Sequence, residues 1–327
     1  MEPEIILETV DVAKSFGGLA ANQGISIKVP ARTLRSVIGP NGAGKTTLFN
    51  LISGIYKPTA GRILFRGEDI TGLPPHQIAR KGIGRSFQIT NLFPELTVLE
   101  NVRLAAQACG RHSWHLWRPA QSLREYTEKA EEALATVGLT NRARALAREL
   151  AHGEKRKLEI AILLATDPVV MLLDEPTAGM SREEVPGIIE VIERIKAQRS
   201  RTILMVEHKM DIVLGISDAI TVLSLGKVIA EGTPAEIVAN ETVQAAYLGA
   251  SHGYALPGSR ATAGAGSAAG SAGAAGSGSA AGSGGAAGSG SAAGSGGAAG
   301  SGDAADRPGE ATSGNRVPDR TAAQAQS

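Results

Sequence analysis

The chain has 327 residues, and its 33 lysines and arginines against 32 aspartates and glutamates leave a net charge of +1. That balance gives no electrostatic footprint for nucleic acid, and the single cysteine, Cys109, excludes an internal disulfide framework and suits a reducing compartment. No apolar run approaches the ~18 residues of a membrane span, and the acidic start Met1-Glu2-Pro3-Glu4 lacks the parts of a signal peptide. The expectation is a soluble cytosolic protein that reaches a membrane only through a partner.

Residues 5–12 read as a strand, and Ile25, Ile27 and Val29 alternate as a second, with Lys14-Ser15-Phe16-Gly17-Gly18 as the turn between them. Residues 34–38 form a short, partly apolar strand. It runs into Gly39-Pro40-Asn41-Gly42-Ala43-Gly44-Lys45-Thr46-Thr47, which fits the phosphate-binding pattern G-x-x-x-x-G-K-[ST]. Leu48, Phe49, Leu51 and Ile52 then recur at helical spacing until Gly54 closes the helix. Strand, glycine loop and helix are the setting that gives this pattern its meaning. Glycines let the backbone N–H groups turn inward, and the helix N-terminus adds partial positive charge, so a polyphosphate meets a nest of donors. Lys45 is placed to reach the β- and γ-phosphates of a nucleotide, and the Thr46 hydroxyl to complete a Mg²⁺ shell.

Residues 57–61 turn into a strand over 62–65, Gly67-Glu68 turns out of it, and 74–81 reads as a helix opened by prolines. A strand over 83–87 ends at Gln88. Thr97-Val98-Leu99-Glu100 has capping-box spacing before a helix to about Ala108, and Ser122-Leu123-Arg124-Glu125 repeats it before a helix ended by Gly138. Between these helices, His112 and His115 have no third ligand nearby, so a packed or solvated insertion outweighs a metal site. Residues 155–165 read as helix, 169–173 as strand, 182–198 as helix and 202–206 as strand. Strands over 220–223 and 228–230 flank a Gly226-Lys227 turn, and Thr233-Pro234-Ala235-Glu236 is a further capping box. The alternation argues an α/β sheet with a parallel centre. The block from about 89 to 165 interrupts it with helices only, and reads as an inserted helical subdomain.

From about Ala255 the apolar periodicity is lost. From Ala274 a six-residue unit, AAGSGS alternating with AAGSGG, repeats as far as Gly302. A unit with no bulky apolar residue builds no core, so 251–327 is expected to be a disordered tail behind a domain spanning 1–250.

The stretch Val169-Val170-Met171-Leu172-Leu173-Asp174-Glu175 is a buried strand running into two carboxylates. Placed adjacent to the phosphate-loop strand, it is expected to set Asp174 beside Mg²⁺ through water. Glu175 then stands where an attacking water lies in line with the γ-phosphate. Gln88, at its strand end, can touch both the metal and that water. Glu207-His208 ends the 202–206 strand and brings an imidazole within range of the γ-phosphate.

The order of these motifs, with Leu150-Ala151-His152-Gly153-Glu154 and Gly179-Met180-Ser181 between them, resembles the ATP-binding cassette (ABC) transporter ATPases over about residues 5–250. The resemblance implies a P-loop NTPase of the ABC type: an α/β fold with a mixed sheet core, an inserted helical subdomain and an antiparallel β-subdomain. It assigns Phe16 to adenine stacking, 39–46 to the Walker A loop, Gln88 to the Q-loop and 169–175 to the Walker B strand. Residues 150–154 match the signature that closes over ATP held by an opposite subunit, 179–181 the D-loop, and His208 the switch histidine. It thereby implies ATP and Mg²⁺ as cofactors, Glu175, His208 and Gln88 as catalytic, and Thr46, Gln88 and Asp174 as metal-binding. Residues 39–47 with Phe16, Ala151, Gly153 and Glu154 are then nucleotide-binding.

Within that family, Gly84-Arg85-Ser86-Phe87-Gln88, Asn91-Leu92-Phe93-Pro94-Glu95-Leu96-Thr97-Val98, Leu158-Glu159-Ile160-Ala161 and Glu175-Pro176-Thr177-Ala178-Gly179-Met180 look like the branched-chain amino-acid importers. Urea and short-chain amide importers carry similar motifs. A soluble ABC ATPase of translation or DNA repair, and a regulatory module that binds nucleotide without hydrolysis, are the rival classes. The resemblance implies membrane-spanning permeases, a second cassette (the same chain or a paralogue), an extracytoplasmic solute-binding protein and a place at the cytoplasmic face of the membrane. Ala151 replaces the usual signature serine, and Ser181 the usual D-loop aspartate.

Overall fold

A computed structural model describes residues 3–86, 92–109 and 124–248. β1 (Ile5–Phe16) and β2 (Leu19–Pro30) form an antiparallel hairpin in which Phe16 faces Leu19. The strand continues through the stretch expected to turn: Lys14, Ser15 and Phe16 stay in the ladder, and only Gly17, at φ 58°, and Gly18 make the connection. β3 (Leu34–Ile38) leads to the glycine loop, and α1 (Lys45–Ile52) starts at the loop lysine. β4 (Ala60–Phe65) and the short β5 (Glu68–Asp69), read from sequence as a turn, complete an antiparallel sheet ordered β2-β1-β4-β5. α2 (Pro75–Lys81) ends at Gly82, and β6 (Ile83–Arg85) follows. The expected continuation of that strand to Gln88 lies outside the described residues.

α3 (Val98–Cys109), α4 (Arg124–Val137) and α5 (His152–Ala165) make up the helical block. The Thr97 box forms as read, with Glu100 N–H donating to Thr97 Oγ1 at 3.1 Å and Thr97 N–H to Glu100 Oε2 at 3.0 Å. Ser122, His112 and His115 lie outside the described residues. β7 (Val170–Asp174), α6 (Val185–Ala197) and β8 (Thr202–Val206) alternate as anticipated, although α6 begins three positions later than 182 because Ser181 and Glu184 build a turn there. α7 (Met210–Ile216) was not anticipated; its buried Met210, Val213 and Ile216 recur at helical spacing behind Asp211 in the first turn. β9 (Ala219–Ser224), β10 (Lys227–Gly232), α8 (Pro234–Ala239) and α9 (Glu241–Leu248) close the described chain.

The second sheet runs β10-β9-β3-β8-β7-β6, antiparallel only between β10 and β9. This corrects one expectation. β7 does not adjoin β3: β8 lies between them, and Val206 faces Val37 on one side and Asp174 on the other. The carboxylates therefore approach the glycine loop across one intervening strand, whose own end carries His208.

Both faces of this sheet are covered, as parallel sheets require. Leu173, Met205 and Leu34 pack with α3–α6, including Leu158, Ala161 and Ile192. Leu172, Leu204 and Val37 pack on the other face with Phe49 and Leu48 of α1 and with the antiparallel sheet. The helical block thus rests against one face, and the glycine-loop helix against the other. Among the described residues no helix is long and apolar enough to cross a membrane.

Candidate active site

The loop between β3 and α1 is shaped by its neighbours. Gly44, at φ +97°, precedes the first helical residue, and a Cβ there would meet the Ala21 carbonyl oxygen and Asn22 Nδ2, each at 2.5 Å. Gly39, at φ +151°, has Leu223 O only 2.2 Å from where a Cβ would stand. Both are positions where glycine is required by conformation and by space. Asn22 Nδ2 donates to Gly44 O at 3.1 Å and Gly226 N–H to Ala43 O at 3.1 Å, so β2 and the β9–β10 turn clamp the loop. Lys45 is 6% exposed and donates from Nζ to Gly39 O at 2.8 Å and Pro40 O at 3.0 Å. Burial pulls its ammonium below the usual lysine value, against the opposing field of Glu175 and Asp174.

The two carboxylates at the end of β7 have different surroundings. Asp174 is fully buried; its Oδ2 receives Arg85 Nη2 at 2.8 Å, while Oδ1 has no hydrogen-bond partner. Arg85 Nη1 also reaches Asn50 Oδ1 at 2.6 Å and Ser53 Oγ at 3.0 Å, tying β6 to α1. Glu175 sits at φ 48°, a left-handed backbone that turns the chain sharply off the strand, and its N–H still bonds Val206 O at 2.9 Å. Its Oε1 lies 2.9 Å from His208 Nε2. Glu207 points the other way into the protein, accepting from Thr177 Oγ1 at 3.0 Å and from the His208 N–H at 3.1 Å. Arg156 of α5 donates to the carbonyls of Pro176, Glu175 and Asp174 at 3.1, 3.0 and 3.3 Å. The acid turn is held from both sides.

Phe16, Asn41, Gly42, Ala43, Gly44, Lys45, Thr46, Thr47, Glu175 and His208 line one cleft of about 680 Å³. Gly39, Pro40 and Asp174 do not line it; the first two accept from Lys45 Nζ through their carbonyl oxygens. Phe16 is 43% exposed, edge-on to Tyr56 with ring centroids 5.2 Å apart. Ala151, Gly153 and Glu154 are not part of this cleft; they open α5, and Gly153 N–H donates to Glu184 Oε1 at 2.9 Å. Helix α5 begins three residues before the expected 155, which places His152 and Gly153 in its first turn. Gln88 lies outside the described residues. Sequence reading missed Leu19 and Leu225 at the cleft mouth, where they are 69% and 80% exposed, because an isolated leucine in a turn carries no signal. It also missed Arg85, Arg156, Glu184 and Glu207, whose partners are remote in sequence.

The cleft has the size of a small-molecule site, and glycine-loop residues 41–47 line it together with the apolar Phe16, Leu19 and Leu225. Asp174 Oδ1 is buried without a hydrogen-bond partner and Thr46 lines the cleft, and both are oxygen donors of the kind that suit a hard divalent cation completed by substrate oxygens. Fold and cleft together define a P-loop ATPase cassette. ABC transporter sequences match residues 22–178, and the branched-chain amino acid ATP-binding cassette transporter family matches residues 227–253. The chain is 42% identical over 251 residues to the high-affinity branched-chain amino acid transport ATP-binding protein BraF of Pseudomonas aeruginosa, covering 75% of this chain and 98% of that one. A solved ATP-binding cassette of an ABC transporter in its ADP conformation superposes with TM-score 0.67 at 34% identity, covering 75% of this chain and 99% of the other. A dimeric cassette solved in a post-hydrolysis state with ADP and phosphate superposes with TM-score 0.60 at 26% identity, covering 70% and 99%. The chain belongs to the ABC transporter ATP-binding protein family, in its branched-chain amino acid group.

Proposed function

We propose that this chain is the ATP-hydrolysing subunit of an importer for branched-chain amino acids, working at the cytoplasmic face of the membrane. The observation that carries the reading is the single cleft in which the glycine loop faces the Glu175–His208 pair. Adenine stacks on the exposed ring of Phe16, and the N–H groups of residues 41–47 take the phosphates. Lys45 exchanges its two loop carbonyls for β- and γ-phosphate oxygens, a change that compensates its burial with a stronger partner. Thr46, Asp174 and Gln88 would hold Mg²⁺, which offsets phosphate charge as it develops.

Glu175 accepts the proton of the attacking water, and His208 fixes the carboxylate through Nε2. Arg156 and Glu207 act behind the pair, holding the backbone of the turn in place. The residues that open α5 (Ala151, Gly153 and Glu154) serve a second cassette, whose nucleotide they cover in a head-to-tail dimer of identical or paralogous chains. The helical block docks on membrane-spanning permeases fed by a solute-binding protein.

The test is reconstitution of the full chain with its membrane subunits and solute-binding protein in liposomes. Leucine should accumulate only with ATP and Mg²⁺, and Lys45→Ala should abolish uptake. ATP-driven uptake of urea or acetamide with no response to leucine would move the chain to the amide importers. An active ATPase that never associates with membrane subunits would contradict the transport reading.

A further inference from the structure

Helix α5 lacks its own cap. Its N-cap residue is Ala151, which has no side-chain acceptor for the orphaned N–H groups of the first turn. Glu154 turns back to accept from Ala151 N–H at 3.0 Å, which serves the cap residue's own amide only. The Gly153 amide is met from 31 residues away: its N–H points at Glu184 Oε1, 2.9 Å distant. The second oxygen, Oε2, accepts from Ser181 N–H at 3.1 Å. One carboxylate therefore ties the start of α5 to the turn that follows the β7 acids. These two amides, Ser181's first and Gly153's second, hold Glu184 below the usual carboxylate range, so it is an anion at neutral pH.

We propose that Glu184 is a positioning residue of the trans nucleotide site: in the free subunit its carboxylate occupies the Gly153 N–H, and it must withdraw before the γ-phosphate held by a partner cassette can take that donor. The inference rests on the head-to-tail dimer described above. A carboxylate and a phosphate are both anions suited to a helix N-terminus, and one N–H cannot serve both at full strength. The fit is close, since a Cβ on Gly153 would stand 3.0 Å from Glu184 Oε1. With no hydroxyl at Ala151 to offer the phosphate another bond, the backbone donor matters more here. Withdrawal also frees Ser181 N–H, so docking of the partner's nucleotide is felt at the turn leading back to Glu175.

The experiment uses the full chain carrying Glu175→Gln, alone and combined with Glu184→Ala or Glu184→Gln. Dimerisation in saturating ATP is followed by sedimentation velocity, and exchange of the Gly153 amide by hydrogen–deuterium mass spectrometry without nucleotide. Removing the competing anion should lower the dimer dissociation constant roughly tenfold in the alanine variant, with a smaller gain for glutamine, which keeps a neutral acceptor. ATP affinity of the monomer should not change, and Gly153 exchange should rise. If the Glu175→Gln parent dimerises but neither double variant does so more tightly, Glu184 is a helix cap only and the proposal is overturned. A parent that stays monomeric in ATP removes the head-to-tail reading itself, and this inference with it.

Discussion

His208 Nε2 lies 2.9 Å from Glu175 Oε1, and the bond joins the ends of two neighbouring parallel strands, β8 and β7. The position of each group follows from the sheet. Asp174 and Val206 are cross-strand partners, so the residues just beyond them leave the sheet side by side. The left-handed backbone of Glu175 then swings its side chain into the cleft.

His208→Ala should leave Glu175 without its anchor while the phosphate loop stays intact. Turnover should fall about 10²–10⁴-fold, the range for disrupting acid–base catalysis, with ATP affinity changed only a few-fold. Phosphate release and equilibrium nucleotide binding measure the two separately. A wild-type rate would show that Glu175 is positioned without the imidazole.

Lys45→Ala should act on binding. The ammonium is buried within the loop and its opposing charges are Glu175 and Asp174, so removing it leaves the phosphates without their charged donor. The ATP dissociation constant should rise about ten- to a hundredfold, the equivalent of a charged hydrogen bond. Titration calorimetry checks this. An unchanged constant would remove the loop from phosphate binding.

The ion pair Arg85–Asp174 is nearly dry, with side-chain exposures of 11% and 0%. Arg85→Ala would strand the carboxylate and lose the bonds to Asn50 and Ser53, so stability should fall by about 3–5 kcal/mol. For a domain of this size that is roughly 6–20 °C in Tm. The exposed pair Lys129–Glu125, at 45% and 64%, provides the contrast: Lys129→Ala should cost under about 1 kcal/mol. Calorimetric melting of both variants decides, and equal shifts would contradict the burial argument.

Acid should loosen the helix starts. Hydrogen bonds from Thr97 lower the folded-state pKa of Glu100, and those from Thr233 lower that of Glu236, from an ordinary value of 4.5. A group depressed on folding adds stability that is complete above its unfolded pKa and is lost as pH falls through the folded one. Tm should therefore hold steady above about pH 5 and decline below pH 4.5, with a shallower decline in Glu236→Gln. A decline of the same slope in that variant would assign the acid sensitivity elsewhere.

The parts of this protein that were legible in its sequence are those fixed by local rules. The strand 34–38, the strand 202–206 and the Thr97 and Thr233 boxes stand as read, because alternation, glycine placement and capping are short-range. Residues 41–47 of the glycine loop, Glu175 and His208 line one cleft. Strand order was not legible: nothing within residues 169–175 says that β8 separates them from β3. Nor was the carboxylate of Glu184 on Gly153, or Arg156 on the acid turn, since such contacts depend on which helix ends the fold brings together. Helix α7 escaped because seven residues hold too few apolar repeats to stand out.

The central claim, that Glu175 is the base that turns bound ATP into ADP and phosphate, is tested most directly by Glu175→Gln in the full chain. The amide keeps the volume and the His208 contact but cannot accept a proton. Bound nucleotide and released phosphate, measured on the same sample with ATP and Mg²⁺, should show ATP retained at wild-type affinity and turnover reduced about 10²–10⁴-fold. Phosphate release at the wild-type rate would contradict the account.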